Sequence, residues 1–284
     1  MTNLRIPKPP LNFWQGLRYS HDPRLVSFHI RQVKRAEHLL MGLTGSDRRT
    51  VRRAMFEVWR DERFLEALLG RHAAVTGRQP RGSDFMFLTG SEPRFPFRLM
   101  TEEAGSLYFH GMIQYALVRL LKPTVVVETG GTPGNSSAHF LRAMDRNQHG
   151  ELHTVDLPPT APLSDYSGHG GWLHEAMPEG QGSGWAVPEF LRGRHHQHIG
   201  DARELLPQVL DSVKPVDIFL HDSDHSYEHM MWEFETAWPF IRPGGVLLSD
   251  DIATNSAFAE FCAGHALTAY QAGGLGGVRK PAEA

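Results

Sequence analysis

Apolar positions along this chain follow two periodicities in turn, and the change from one to the other divides it. From Arg24 to about Gly77 they recur at helical spacing: Leu25, Phe28, Val33, Leu39 and Leu40, then Val51, Met55, Val58, Trp59, Phe64, Leu65 and Leu68. That is the stripe an amphipathic helix turns towards a core. Ser46 with Asp47 offers a start for the second of these segments. Another amphipathic helix is expected from Ser106 to Leu121, through Leu107, Tyr108, Met112, Ile113, Leu117 and Leu120, stopped by Lys122-Pro123. Beyond it the pattern becomes short β-branched or aliphatic runs, each followed by polar residues and a helical stretch: Val125 to Val127, Leu152 to Val155, Ile199, Val216 to Leu220 and Val246 to Leu248. Runs that are apolar without alternation and that alternate with helices predict a doubly wound, mostly parallel α/β sheet. Phe258, Phe261, Cys262, Leu267 and Tyr270, then Gly273 to Val278, predict a last helix and a glycine-rich closing strand or hairpin.

The first strand runs straight into Glu128-Thr129-Gly130-Gly131-Thr132-Pro133-Gly134-Asn135-Ser136-Ser137. Strand, glycine turn and helix start form the edge at which such sheets receive nucleotide-like ligands, because glycines let the backbone approach and the helix presents free N–H groups. Ser136 or Ser137 is expected to cap the helix that follows. No Gly-Lys-Ser/Thr is present, which removes a phosphate-cradling loop. The glycine spacing also departs from the dinucleotide fingerprint, since Thr129 stands two before Gly131. What remains is acidic-x-Gly-x-x-x-Gly-x-Ser, and a carboxylate here suits a cationic or hydroxyl-bearing ligand better than a pyrophosphate.

Composition narrows the partners. The 284 residues carry a formal net charge of -3, which gives no field to hold nucleic acid or an anionic membrane, so a small molecule is expected. Arg48, Arg49, Arg52 and Arg53 are expected to be a solvated helix face paired with Glu57, Asp61 and Glu62. The single cysteine, Cys262, excludes an intrachain disulfide and is expected to be buried filler. Pro7, Pro9 and Pro10 stand where a signal peptide needs an apolar core, so a cytoplasmic protein is expected. A proline-rich arm and the helical segments fill residues 1–98, with Phe85-Met86-Phe87-Leu88 in a linker of prolines and glycines; a catalytic unit is expected over 99–284. Between Leu157 and Leu191, glycines, prolines, Trp172 and Trp185 suggest a lid. His195, His196 and His198 lie just before the expected third strand and read as a polar turn, lacking helical ligand spacing.

Acids punctuate the strand ends. Glu128, Asp156 and Asp201 close three successive strands; Asp156 is placed to accept from a ribose. The fourth strand breaks into His221-Asp222-Ser223-Asp224-His225-Ser226-Tyr227-Glu228, a helix follows, and Arg242-Pro243-Gly244-Gly245 turns into a strand ending at Asp250-Asp251. If those two strands are neighbours, Asp222, Asp250 and Asp251 meet at one edge, where three carboxylates disfavour joint ionisation unless a cation joins them. Oxygen donors select a hard ion, Mg²⁺ first, with Ca²⁺ or Mn²⁺ next.

The turn Glu128-x-Gly130-x-x-x-Gly134-x-Ser136 resembles motif I of class I S-adenosylmethionine-dependent methyltransferases. Asp222-x-Asp224-His225-Ser226-Tyr227-Glu228, the helix, Arg242-Pro243-Gly244-Gly245-Val246-Leu247 and Asp250-Asp251 resemble metal-dependent small-molecule O-methyltransferases, including those acting on macrolide sugars, over about residues 105–255. The resemblance implies a Rossmann-like seven-strand sheet behind a helical N-terminal extension. It implies cofactor contacts from Glu128, Gly130, Gly134, Ser136, Asp156, Asp201 and Ala202, with the Gly200-Asp201-Ala202 turn facing adenine. It implies a metal on Asp222, Asp250 and Asp251 and a general base at His225. Asp224 is left as the partner of His225 or as a replacement for Asp222, and Ser223 departs from the glycine common at that place. The expected partner is a small hydroxylated acceptor, a sugar or polyketide-derived compound, with S-adenosylmethionine and Mg²⁺ as cofactors and several identical copies assembled. A nicotinamide-dependent oxidoreductase and a non-catalytic partner subunit of the same fold are the alternative readings.

Overall fold

The computed structural model describes residues 12–18, 22–76, 102–158 and 178–282. The proline-rich arm up to Leu11, the linker with Phe85 to Leu88, and the part of the glycine-rich segment holding Gly168, Gly170, Gly171 and Trp172 lie outside them. The helices before the sheet are α1 (Phe13–Leu17), α2 (Pro23–Thr44), α3 (Arg48–Val58), α4 (Glu62–Thr76) and α5 (Glu102–Leu121). Then come β1 (Val125–Thr129), α6 (Asn135–Asn147), β2 (Glu151–Asp156), β3 (His195–Ile199), α7 (Ala202–Val213), β4 (Val216–His221), α8 (Tyr227–Ala237), β5 (Ile241–Ser249), α9 (Ala257–Gly264), β6 (Tyr270–Ala272) and β7 (Leu275–Arg279).

The seven strands lie in the order β3-β2-β1-β4-β5-β7-β6. The first five are parallel, while β7 runs antiparallel to both β5 and β6. The order reverses between β1 and β4, and at such a switch point a crevice opens beyond the carboxyl ends of the strands. Alternation along the central strands builds the two cores. Val126, Ile218, Leu220, Val246 and Leu248 face one layer, where Leu39, Leu43, Met55, Phe64 and Leu68 of the early helices join α5 and α6. Val127, Phe219 and Leu247 face the other, against Leu206, Met230, Phe234 and Phe261 of α7, α8 and α9.

Several expectations need correction. Helix α5 is not amphipathic over its later turns: Met112 to Val118 are all buried, because the early helices cover the side expected to face water. Helix α6 begins at Asn135 behind Gly134, with no side-chain cap, so neither Ser136 nor Ser137 caps it. Arg48 and Arg52 meet Glu37 instead of Glu57, Asp61 and Glu62. Glu57 accepts from Tyr115 and Arg119, and Asp61 from Arg142 and Arg146. The turn at Arg242 to Gly245 is part of β5, whose pairing with β4 shifts register between Val216 and Ile218. Residues His195 to His198 are themselves strand β3, carried at the sheet's edge by ladder hydrogen bonds with β2 despite a sequence without an apolar run. Asp47 does cap α3, accepting from Arg49 and Thr50 N–H at 2.8 and 3.1 Å. Cys262 is buried on α9.

Candidate active site

Glu128 sits in β1 with 1% of its surface exposed. Its Oε1 accepts from the hydroxyls of Ser137 and Thr154, the latter at 2.8 Å, and Oε2 has no hydrogen-bond partner among the described residues. Burial raises its proton affinity, although the hydroxyls of Ser137, Thr154 and Ser136 pull the other way. The glycine turn is tight for a steric reason. Gly130 has φ +78°, and a Cβ there would lie 1.9 Å from the carbonyl oxygen of Asp222. The turn after β1 and the break after β4 are therefore in direct backbone contact. Gly134, at φ +108°, abuts Gly184, whose neighbour Ala186 donates its N–H to Pro133 at 2.9 Å. The described end of the expected lid thus packs on the glycine turn, with Trp185 and Val187 buried.

Asp156, at the end of β2, already accepts from Thr132 and Ser183 hydroxyls at 2.7 and 2.6 Å, and burial raises its proton affinity. Asp201 is exposed and caps α7 through the Arg203 N–H at 2.8 Å, with Ala202 opening that helix. The Ser183 partner of Asp156 was not legible in the sequence, since it is far along the chain.

Strands β4 and β5 are neighbours, so the acids that follow them meet. Asp222 is pushed well above the usual carboxylate range, first by burial and then by the nearby charges of Asp250, Glu128 and Asp251. Asp250 behaves oppositely. Burial alone would raise it, but His110 and His225 hold it well below the usual range, with His110 Nδ1 standing 3.0 Å from its Oδ1. His225 lies between the carboxylates, Nε2 3.8 Å from Asp222 Oδ1 and Nδ1 3.7 Å from Asp251 Oδ2. Asp224 Oδ1 accepts from the Ser226 N–H at 2.8 Å and so shapes the turn into α8. The rim brings Asp222, Asp250, Asp251 and His225 together, yet the three carboxylates do not close on one point: among the described residues, the set of three candidate ligands lying within 4.8 Å of one another is elsewhere.

Two supports of this rim were missed. His110 reaches Asp250 from α5, a helix otherwise apolar over that stretch. Glu233, on α8, is fully buried and accepts from Thr129 Oγ1 at 2.6 Å, His221 Nδ1 at 2.6 Å, Ser223 Oγ at 2.8 Å and His229 Nε2 at 2.9 Å. One carboxylate thereby ties the ends of β1 and β4 to α8. Burial would raise Glu233, but His221 and His229 hold it far below the usual range. The available signal was its place on the apolar side of α8 between Met230 and Ala237, where a carboxylate demands partners.

A parallel sheet with its switch point beside a glycine turn, closed by an antiparallel pair, is a Rossmann-like seven-strand arrangement. Residues 127–252 match the family model described as a methyltransferase domain. No curated protein matches the chain by sequence. Among solved structures, the chain is similar to the S-adenosylhomocysteine-bound methyltransferase PaMTH1 of Podospora anserina, at 14% identity over 76% of this chain and 88% of that one, TM-score 0.46. It is similar to the O-methyltransferase TomG of Streptomyces achromogenes, involved in tomaymycin synthesis, at 19% identity over 77% and 90%, TM-score 0.44. The methyltransferase MycE of the mycinamycin pathway, in complex with Mg and S-adenosylhomocysteine, matches at 16% identity over 62% of this chain and 50% of that one, TM-score 0.41.

Proposed function

We propose that this chain transfers the sulfonium methyl group of S-adenosylmethionine to a hydroxyl of a small molecule, of the sugar or natural-product class, with a divalent cation. The observation that carries the reading is the contact of the glycine turn with the acid rim, Gly130 against the carbonyl of Asp222. It puts a cofactor-type turn and a proton-accepting cluster at one strand edge.

The residues fit both groups. Glu128 keeps a buried oxygen without a partner among the described residues, which suits a donor such as the ammonium of an amino-acid-bearing cofactor. Gly130, Gly134 and Ser136 shape the turn, and Asp156, Asp201 and Ala202 line the neighbouring strand ends. Asp222, Asp250 and Asp251 are an all-oxygen set, and the crowding that raises Asp222 is relieved by a hard cation such as Mg²⁺. A cation held there would supply charge that lowers the pKa of the acceptor hydroxyl. His225, flanked by Asp222 and Asp251, accepts the hydroxyl proton. As the S–CH₃ bond breaks, the O–CH₃ bond forms from the oxygen's electron pair, and the rim holds that oxygen in line while excluding water.

The test is methyl transfer from isotopically labelled S-adenosylmethionine to a panel of hydroxylated sugars and phenols, with Mg²⁺ or with EDTA. Metal-stimulated labelling of an oxygen is expected. Equal labelling with EDTA removes the cation from the proposal. A rise in melting temperature with NADH and none with S-adenosylmethionine replaces the methyltransferase reading by the oxidoreductase one.

A further inference from the structure

Strands β2 and β3 carry a second set of ligand-type side chains. Their register sets His153 beside His196 and Val155 beside His198. Side chains two apart share a face of a sheet, so Glu151, His153, His196 and His198 stand on one side. His195 turns to the other, where its Nε2 meets Thr154 Oγ1 at 2.9 Å. A ligand atom from each of Glu151, His153 and His196 lies within 4.8 Å of the other two.

One pair in the set has the spacing of ligands around one ion: His196 Nε2 is 3.2 Å from Glu151 Oε2. His198 Nε2, 3.2 Å from His153 Nδ1, holds the His153 ring. Donors bound at the usual zinc distances in a tetrahedron are roughly 3.3 Å apart. The rings are also held in place: His153 stacks on His196 with centroids 4.6 Å apart and planes 16° apart, and on His198 at 5.5 Å and 17°. The side chains of His196 and Glu151 are 45% and 56% exposed, so an ion has access from solvent.

We propose that Glu151, His153 and His196 bind a borderline divalent transition-metal ion of the Zn²⁺ type, with His198 holding the His153 ring, so that the ion clips edge strand β3 to β2. Nitrogen-rich and carboxylate-poor, this set selects a different class of ion from the all-oxygen rim. Glu151 opens β2, whereas the rim follows the carboxyl ends of β4 and β5, so the two sites lie apart on the sheet. The inference stands whether or not the chain transfers methyl groups.

The experiment uses the full chain without a histidine tag, stripped by a chelator and then dialysed, titrated with Zn²⁺ by calorimetry and with Co²⁺ by visible absorption. With Mg²⁺ in excess to occupy the rim, saturable binding of one Zn²⁺ or Co²⁺ per chain is expected, with ligand-field bands of nitrogen-ligated Co²⁺, and Asp250→Asn keeps both. Glu151→Gln and His196→Ala, chosen because their side chains are exposed and their folding can be checked by circular dichroism, each weaken binding by at least about tenfold. His198→Ala weakens it by about 10–100-fold, as for residues that orient a ligand. Wild-type affinity in the folded Glu151→Gln/His196→Ala double variant overturns the site. So does loss of binding in Asp250→Asn, which would assign the ion to the rim, or the absence of saturable binding by the wild type.

Discussion

Gly130 and Gly180 share φ +78°, yet a Cβ on Gly180 meets nothing within 4 Å while one on Gly130 falls 1.9 Å from Asp222 O, 2.5 Å from Asp222 C and 2.8 Å from Ser223 Cα. Alanine at either position bears the left-handed cost of roughly 1–2 kcal/mol. Only Gly130→Ala must also push a backbone aside, and overpacking of that kind adds about 1–3 kcal/mol. In urea unfolding, with a slope of about 3 kcal/mol per molar, the Gly130→Ala midpoint should lie roughly 0.3–1 M below that of Gly180→Ala. The displaced group is the strand end that carries Asp222, and a shift of about 1 Å at a reacting centre costs on the order of 10²-fold in rate. Methyl transfer should therefore fall in Gly130→Ala and stay near wild type in Gly180→Ala. Equal midpoints and equal activities in the two variants would refute the contact between turn and rim.

Asp250→Asn should reduce metal-stimulated methyl transfer by on the order of 10²-fold or more while leaving S-adenosylmethionine affinity, read by calorimetry, unchanged; a parallel loss of cofactor affinity would place Asp250 in a different role. Glu233→Gln breaks a buried charge network and should cost about 3 kcal/mol in urea unfolding at neutral pH. The Glu233 pKa is depressed in the folded chain, so its stabilisation is fully present above the unfolded value of about 4.3 and is lost as pH falls below it. The gap between wild type and variant should narrow on acidification, and a constant gap would contradict the assignment. Asp61→Asn removes the negative charge shared by Arg142 and Arg146 and should lower stability by about 3 kcal/mol, with no change at the rim when S-adenosylmethionine binding is measured.

The central sheet was legible because buried parallel strands write themselves as apolar runs. Val125 to Val127, Val216 to Leu220 and Val246 to Leu248 need no partner to be recognised, and each feeds both cores from alternate residues. The third strand was not legible in that way. His195 to Ile199 forms an edge whose pairing with β2 comes from backbone hydrogen bonds, and an edge strand facing water on one side lacks the apolar signal of its neighbours. The charge pairing of the early helices failed for a related reason: nearness in sequence proposed Glu57, Asp61 and Glu62 for the arginines of α3, while packing of α2 and α6 supplied other partners.

At the rim, strand ends could be read as places where acids meet, because the pattern of the sheet alone brings β4 beside β5. What tunes those acids arrives from helices whose sequences look like filler. His110 interrupts the apolar run of α5, and Glu233 stands where α8 should present carbon to the core. A titratable residue at a core-facing helical position must either be neutral or meet a partner. Here both meet partners at the same strand edge: His110 keeps Asp250 ionised beside a raised Asp222, and Glu233 fixes His221 and Ser223 on either side of it. The opposite displacement of two neighbouring carboxylates therefore follows from what surrounds each one, burial and other acids for Asp222 and the imidazoles of His110 and His225 for Asp250, and removing one of those imidazoles by His110→Phe should move Asp250 towards Asp222 in behaviour.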